Sequence, residues 1–439
     1  MKAISIFGLG YVGAVTAACF TSRGHKVIGV DPNPLKVDRI ESGKSPIVEA
    51  NVAEMIAEAK RTGLISATVC AATAITHSDI SFISVGTPSQ RNGKLDLSHI
   101  RSVCGDIGRA LRQKDSFHWI VVRSTVLPGT TEGVVVPAIE ASSGKKAGRD
   151  FLVCFNPEFL REGTAVSDFF NPPFTVMGTD ESVLAQPLLE LYSFLSTRLY
   201  EIPIKAAEMI KYSCNAFHAV KVAFANEIGS ICNVLGIDAK CVSDIFKSDT
   251  RLNVSTAYLS PGFAFGGSCL PKDLRALTHR VRELDLKLPL LESILQSNSE
   301  HIDRAAETIL GLGKRKIGIL GLSFKPGTDD LRESPMVHLV KKLIAEGCQI
   351  QIWDENVSLG QLIGSNRQFI KEYIPHIGTL LRDEIEDVLS QADVVVKATD
   401  AVSREKLTAR LREGQSLVDI ENVDYRLLKT PTDSLVTTA

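Results

Sequence analysis

The sequence predicts an α/β chain: two doubly wound domains joined by a central helical domain with a long connecting helix. Three observations carry this. Strand-like apolar runs alternate with helix-like ones from residue 3 to about residue 200, and the same order restarts near residue 314. Between them, residues 204 to about 236 read as one uninterrupted helix with no proline. Alternating strand and helix signals build a parallel sheet with helices on both faces. At 439 residues the chain exceeds one ordinary core. The expected boundaries are 1–202, 203–300 and 301–439.

The first element is KAISIF, a β-prone run that leads into Gly8-x-Gly10-x-x-Gly13. AVTAACF continues as a helix that stops at Arg23-Gly24-His25, and KVIGV follows as a second strand ending on Asp31. Glycine spacing alone is weak, but strand before, helix after and an acid roughly twenty residues on complete the dinucleotide fingerprint. Gly8 permits a tight turn, Gly10 lets backbone approach a pyrophosphate, and Gly13 lets helix and strand pack closely. The helix start offers free N–H groups to the diphosphate. Asp31 accepts hydrogen bonds from ribose hydroxyls and repels a 2′-phosphate, so the predicted cofactor is NAD and the first domain is Rossmann-like.

SDISFISVGTP and HWIVVRSTVLPGTT are further strands ending in small polar turns, with Thr87 and Thr125 at their ends. Ligands of doubly wound sheets bind there, so both threonines stand as cofactor or substrate contacts, or simply as turn residues. FLVCFNPEFLREG places Glu158 and Glu162 beyond another strand, as helix-start acids or with one of them a base. The long helix is apolar on nearly every side, which predicts burial between domains or against a second subunit. Lys211, Asn215, His218 and Asn226 form a narrow stripe along it, and its apolar surroundings point to a buried polar site.

The last third repeats the opening. KRKIGILGL, SPMVHLVKKLIAEG, CQIQIWD and ADVVVKAT read as strand, helix, strand and strand, so a second Rossmann-like domain is expected. Its turn, FKPGTDDLRESP, lacks the glycine fingerprint. Lys325 and Arg332 in that turn either meet phosphates of a different nucleotide or are exposed turn charges. Before it, FAFGGSCLPKD sets Cys269 between a flexible turn and a rigid, charged one. Spacing leaves open a buried apolar thiol or a nucleophile favoured as thiolate by a neighbouring cation.

Bulk properties narrow the class. Net charge is −2 with both signs interspersed, so no basic face for nucleic acid is evident. Nine scattered cysteines without CxxC or zinc-type spacing fit a reducing cytosol and predict no metal site. No signal-peptide pattern and no span-length apolar run occurs, so the expectation is a cytoplasmic protein without membrane insertion.

FGLGYVG, VGTP, RSTVLPGT, NPEFLREGTA, AEMIKYSCNAFHAVKVAFANEIG, PGFAFGGSCLPKD and LGLSFKPGTDDLRESP together resemble the UDP-glucose/GDP-mannose dehydrogenase family over nearly the whole chain. KSPIVE and PGFAFGGSCLPKDLRAL resemble its GDP-mannose branch more than its UDP-glucose branch. The resemblance implies oxidation of a sugar-nucleotide C6 alcohol to the acid by two NAD⁺, GDP-mannose to GDP-mannuronate being the specific expectation, in polysaccharide synthesis of the alginate type. It implies that Cys269 captures the intermediate aldehyde as a thiohemiacetal, whose oxidation gives a thioester for water to hydrolyse. Lys211 and Asn215 match donors to the oxyanions at C6, Asp273 a carboxylate positioning water or lysine, and Glu162 an acid for substrate contact and hydrolysis. Thr125 matches a contact to nicotinamide and water. Tyr11, Val12, Asp31, Lys36, Thr87, Lys272 and Arg332 match cofactor contacts. His218, Asn226, Tyr258, Phe263, Gly266 and Lys325 match sugar-nucleotide contacts, with Gly266 and Gly267 easing the thiol loop towards the sugar.

The family also implies a homo-oligomer, a dimer or a dimer of dimers, with Arg332 reaching a neighbouring subunit. One departure is Ser260, where GDP-mannose relatives can carry a basic residue. The rival readings are the UDP-glucose reaction, a non-catalytic nucleotide-binding regulator and a two-electron hydroxyacid dehydrogenase. Cys269, Lys211 and Asp273 speak against the regulator, and FAFGGSCLPKD against the hydroxyacid enzyme.

Overall fold

Ala3–Phe7 forms β1, and four of its five residues are buried. It lies between β2 (Lys26–Val30) and β4 (Ile80–Ile83), parallel to both. A strand covered on both faces reads as a continuous apolar run, which is why AISIF and ISFI carry almost no polar positions. The computed structural model describes residues 1–92, 94–255, 258, 262–267, 270–323, 330–357, 364–398 and 401–420.

The remaining strands of this sheet are β3 (Ile65–Thr68), β5 (His118–Val122), β6 (Phe151–Phe155), β7 (Thr175–Gly178) and β8 (Leu199–Ile202). Their order is β3-β2-β1-β4-β5-β6-β7-β8, parallel except where β6 and β7 meet antiparallel at Phe155 and Gly178. Alternate residues feed two apolar layers. Ile4, Ile6, Phe82 and Cys154 join one, while Phe7, Ile83, Ile120 and Phe155 join the other. The order reverses between β1 and β4, which opens a crevice at their carboxyl ends.

The chain divides into two compact units, Met1–Ala219 and Val220–Ala439. The second has its own parallel sheet of β9 (Lys316–Leu320), β10 (Gln349–Trp353), β11 (Val394–Lys397) and β12 (Ser416–Asp419), in the order β10-β9-β11-β12. The predicted echo of the first half extends to single hydrogen bonds. Gly8 and Gly321 both adopt left-handed φ, +98° and +102°, and their N–H groups donate to Val30 O (2.7 Å) and Trp353 O (2.8 Å). The next N–H donates to the acid closing the second strand, Leu9 to Asp31 (2.8 Å) and Leu322 to Asp354 (2.6 Å). Each acid also accepts from an asparagine N–H two residues on, at 2.9 Å in both cases.

The division between units falls within one helix, Ile204–Val234, of 31 residues. Glu208 fastens its first turns. This carboxylate is wholly buried and accepts the N–H groups of Gly129 (2.5 Å) and Thr131 (2.8 Å). Those donors open the turn leading into the helix Val136–Ser143 and would otherwise be orphaned, at about 1–3 kcal/mol each.

In the single chain the long helix is buried at its two ends only. Ile204, Ala207 and Lys211 near its start are buried, as are Ile231 and Cys232 near its end. Its middle is open in the single chain, with Phe217 41%, Val220 48% and Val222 61% exposed. The helix meets the core of the first sheet through Ile204, Ala207 and Ile210, and this cover ends before the apolar stretch does. Among the described residues no helix is long and apolar enough to cross a membrane.

Candidate active site

The turn after β1 is shaped by close approach. A Cβ on Gly8 would lie 2.7 Å from Ser84 O, and one on Gly13 only 1.8 Å from Gly8 O, so neither position admits a side chain. Gly10 is different, because no atom lies within 4 Å of where its Cβ would stand. Its missing side chain leaves room for a ligand. The helix Tyr11–Ser22 starts there with no side-chain cap on its first N–H groups. Those donors face no internal partner and suit a diphosphate.

Asp31 is 4% exposed, and besides its two backbone donors it accepts from Lys36 Nζ at 2.9 Å. Tyr11 and Val12, next to Gly10, are half-buried. Thr87 and Thr125, beyond β4 and β5, are tied together by the Thr87 hydroxyl donating to Thr125 O at 2.7 Å. Open space at Gly10, free helix donors and a recessed acid all fit a dinucleotide along the carboxyl edge of β1, β2 and β4.

Beyond β6 lies a cavity of about 440 Å³ whose lining includes Asn156, Glu158, Phe159, Lys211, Asn215 and His218. At its wall the Lys211 ammonium stands 2.9 Å from Glu158 Oε1, both side chains nearly buried, and 5.5 Å from the centre of the Phe159 ring. Glu158 Oε2 accepts the N–H of Leu160 at 2.8 Å, which fixes the carboxylate on its loop. Beneath, the buried Arg123 and Tyr192 both donate to Asn156 Oδ1, and Asn156 Nδ2 donates to Val176 O at 2.7 Å. This network locks the ends of β5 and β6 together under the ion pair.

The polar stripe of the long helix is therefore only partly a buried site. Lys211 is buried, while Asn215 and His218 line the cavity but are exposed, and Asn226 is exposed within the second unit. The reason is the early end of the helix's cover. The two acids after β6 also separate: Glu158 faces Lys211, whereas Glu162 is exposed and absent from the cavity lining. Sequence reasoning noticed Glu158 only as one of two acids past a strand end, and gave Arg123, Asn156 and Tyr192 no role.

In the second unit, Tyr258 is exposed with φ +62° and Phe263 packs against the core of the second sheet. A Cβ on Gly266 would meet Glu333 O at 2.3 Å, so packing alone requires glycine there, and Gly267 adopts φ +86°. The loop before them is pinned by Asn298, whose amide bonds Phe265 N and O, each at 2.8 Å. Lys272 and Asp273 pair at 3.2 Å, both exposed, at the start of the helix Leu270–Glu283. Arg332 forks onto Asp330 through Nε (2.9 Å) and Nη2 (2.8 Å), holding that carboxyl below its usual range. Cys269, Lys325 and Ser260 lie outside the described residues.

Comparison with known proteins settles the family. Three domain descriptions of one family match in order: the NAD binding domain at residues 2–196, the central domain at 205–300 and the UDP binding domain at 318–424. The chain is 49% identical to a GDP-mannose 6-dehydrogenase of Pseudomonas aeruginosa, over 95% of this chain and 96% of that one. The chain belongs to the UDP-glucose/GDP-mannose dehydrogenase family. A crystal structure of a ternary complex of GDP-mannose dehydrogenase from the same organism superposes with a TM-score of 0.92, at 49% identity over 95% of this chain and 96% of that one. A UDP-glucose 6-dehydrogenase of Haloferax volcanii is more distant, 35% identical over 90% of this chain and 91% of its own. The glycine turn and Asp31 thus lie in the NAD binding domain of this dehydrogenase family.

Asp31→Asn removes the charge that ribose hydroxyls would meet while keeping the side chain's size. NAD⁺ affinity should fall by about tenfold or more, as expected for hydrogen bonds to a charged group. Calorimetric titration checks this, and an unchanged affinity places the ribose elsewhere.

Proposed function

We propose that this family member oxidises the C6 alcohol of GDP-mannose to the carboxylate of GDP-mannuronate by two successive two-electron steps. The observation that carries the chemistry is the recessed Lys211–Glu158 pair beside Asn215 in the cavity beyond β6. The choice of GDP-mannose rests on identity, 49% to the Pseudomonas enzyme against 35% to the UDP-glucose enzyme, over nearly full chains.

When bound, NAD⁺ would supply the hydride acceptor for each oxidation. Lys211 and Asn215 direct an ammonium and an amide at the C6 oxygen, where negative charge develops as the alcohol and later the thiohemiacetal is oxidised. The Cys269 thiolate adds to the aldehyde, which has no alcohol hydrogen left to give, and so restores a carbinol carbon that can lose a second hydride. The resulting thioester is cleaved by water, with acid and thiol as products. We assign the proton of that water to Glu158, because it is the carboxylate beside Lys211, and keep Glu162 as a substrate contact. Thr125 orients the water and nicotinamide, and Asp273 with Lys272 supports the thiol. Gly8, Gly10, Tyr11, Val12, Gly13, Asp31, Lys36, Thr87 and Arg332 hold the cofactor. His218, Asn226, Tyr258, Phe263, Gly266 and Lys325 hold the sugar nucleotide.

We further assign the segment 203–300 to dimerisation. Within the second unit Val222, Ile245 and Val254 are each more than half exposed and Phe246 is 41% exposed, apolar side chains that a partner subunit would cover. The enzyme works in the cytoplasm, where its thiols stay reduced.

The experiment is NADH formation with GDP-mannose, UDP-glucose and UDP-N-acetylmannosamine in parallel. GDP-mannose should be turned over fastest, with two NADH per acid released. One NADH per product makes the chain a simple alcohol dehydrogenase, and a preference for UDP-glucose overturns the substrate.

A further inference from the structure

Glu49 sits in the irregular stretch KSPIVE and joins three segments distant in sequence. Its Oε2 accepts the Tyr11 hydroxyl at 2.6 Å and the N–H of Gly163 at 2.8 Å, and its Oε1 accepts the N–H of Ala165 at 2.9 Å. Tyr11 is the first residue of the helix that opens at Gly10, on the cofactor turn. Gly163 and Ala165 close the loop that carries Glu158 and Glu162. That loop is held a second time where Arg161 pairs with Asp168 at 2.7 Å. Burial and the neighbouring carboxylate hold the Tyr11 phenol well above its ordinary range, and the phenol's hydrogen bond holds Glu49 below its own. Donor and acceptor are thus in their bonding forms at neutral pH, and charge-assisted bonds of this kind are the strong ones.

We propose that Glu49 is a positioning residue that, through Tyr11, ties the Glu158 loop to the cofactor turn, so that dinucleotide binding orders the loop. A diphosphate seated on the Gly10 turn immobilises the first residue of the helix. The phenol then holds one carboxylate oxygen, and the carboxylate holds both loop N–H groups. The chain of bonds is continuous from the turn to the loop. A reaction that uses two NAD⁺ in succession gains from this link, because the loop is fixed while a cofactor is seated and eased while one is exchanged.

The other account is that Glu49 merely caps the short helix Ala165–Phe170. Tyr11→Phe separates the two, since it removes the phenol's bonds to Glu49 and to Arg161 O (3.3 Å) on the same loop and leaves both N–H bonds to Glu49 in place. The measurement is amide hydrogen exchange of the peptide spanning Gly163 and Ala165, with and without saturating NAD⁺. In the unaltered enzyme NAD⁺ should slow exchange about tenfold or more, and in Tyr11→Phe by less than about twofold, although NAD⁺ still binds. In turnover, kcat of Glu49→Asp, whose own side chain is not among the cofactor contacts, should fall about tenfold while KM for NAD⁺ stays within about twofold, the pattern of lost positioning rather than lost binding. Glu49→Asp, which shortens the reach but keeps the charge, should give the same loss of NAD⁺-dependent protection. The inference rests on the proposed role of Glu158, but the exchange arm needs only NAD⁺, so failure of the substrate assignment leaves it readable. Wild-type protection in Tyr11→Phe, or no effect of NAD⁺ on the unaltered enzyme, overturns it.

Discussion

Cys269→Ser should leave an enzyme that binds NAD⁺ and sugar nucleotide, carries out the first oxidation and makes almost no acid. The first step needs only the C6 hydroxyl, donors for its oxygen and a hydride acceptor, none of which the thiol supplies. The second needs a nucleophile that is anionic near neutral pH. A thiol meets that requirement and a serine hydroxyl does not. In sequence, position 269 immediately precedes the helix Leu270–Glu283. Loss of acid formation should be at least ~10³-fold, the scale on which removing a covalent nucleophile acts. The assay separates acid from aldehyde chromatographically, with semicarbazide present to trap the aldehyde. Trapped aldehyde with about one NADH is the expected result. Acid formation at the unaltered rate would remove the thioester from the mechanism.

What the sequence revealed depended on whether the determining contact was local. The cofactor turn was legible because β1, three glycines and Asp31 lie within one strand–helix–strand unit, and the close approaches at Gly8 and Gly13 are enforced inside it. The second sheet was legible for the same reason, and Asp354 repeats the part played by Asp31. Lys211 could be found from helical spacing. Its partner could not, because Glu158 and Glu162 lie on a loop with no period to say which one turns inward. The exposure of Asn215 and His218 was hidden too. A helix's pattern tells which side is apolar, but not how far along its length the neighbouring sheet reaches. The linking role of Glu49 gave no local signal, since its partners are brought to it only by the tertiary fold.

Lys211→Met tests the ion pair in both of its capacities. Removing one member of a nearly buried pair strands the other, so Glu158 is left recessed without its counter-charge. The cost is about 3–5 kcal/mol when burial is complete, and somewhat less here because each side chain keeps a little exposure. Turnover should fall ~10²–10³-fold, the range for losing one donor to a developing oxyanion. Both effects could follow from a damaged fold, so the variant alone does not prove catalysis. Lys211→Met combined with Glu158→Gln does. With both charges gone, nothing unpaired remains in the cavity wall, and the thermal midpoint should return to within a few degrees of the starting enzyme. Turnover should not return, because neither the donor to C6 nor the carboxylate for the hydrolytic water has been restored. If stability and turnover recover together in the double variant, Lys211 and Glu158 serve only to hold the loop, and the oxyanion donors must be sought elsewhere in the cavity.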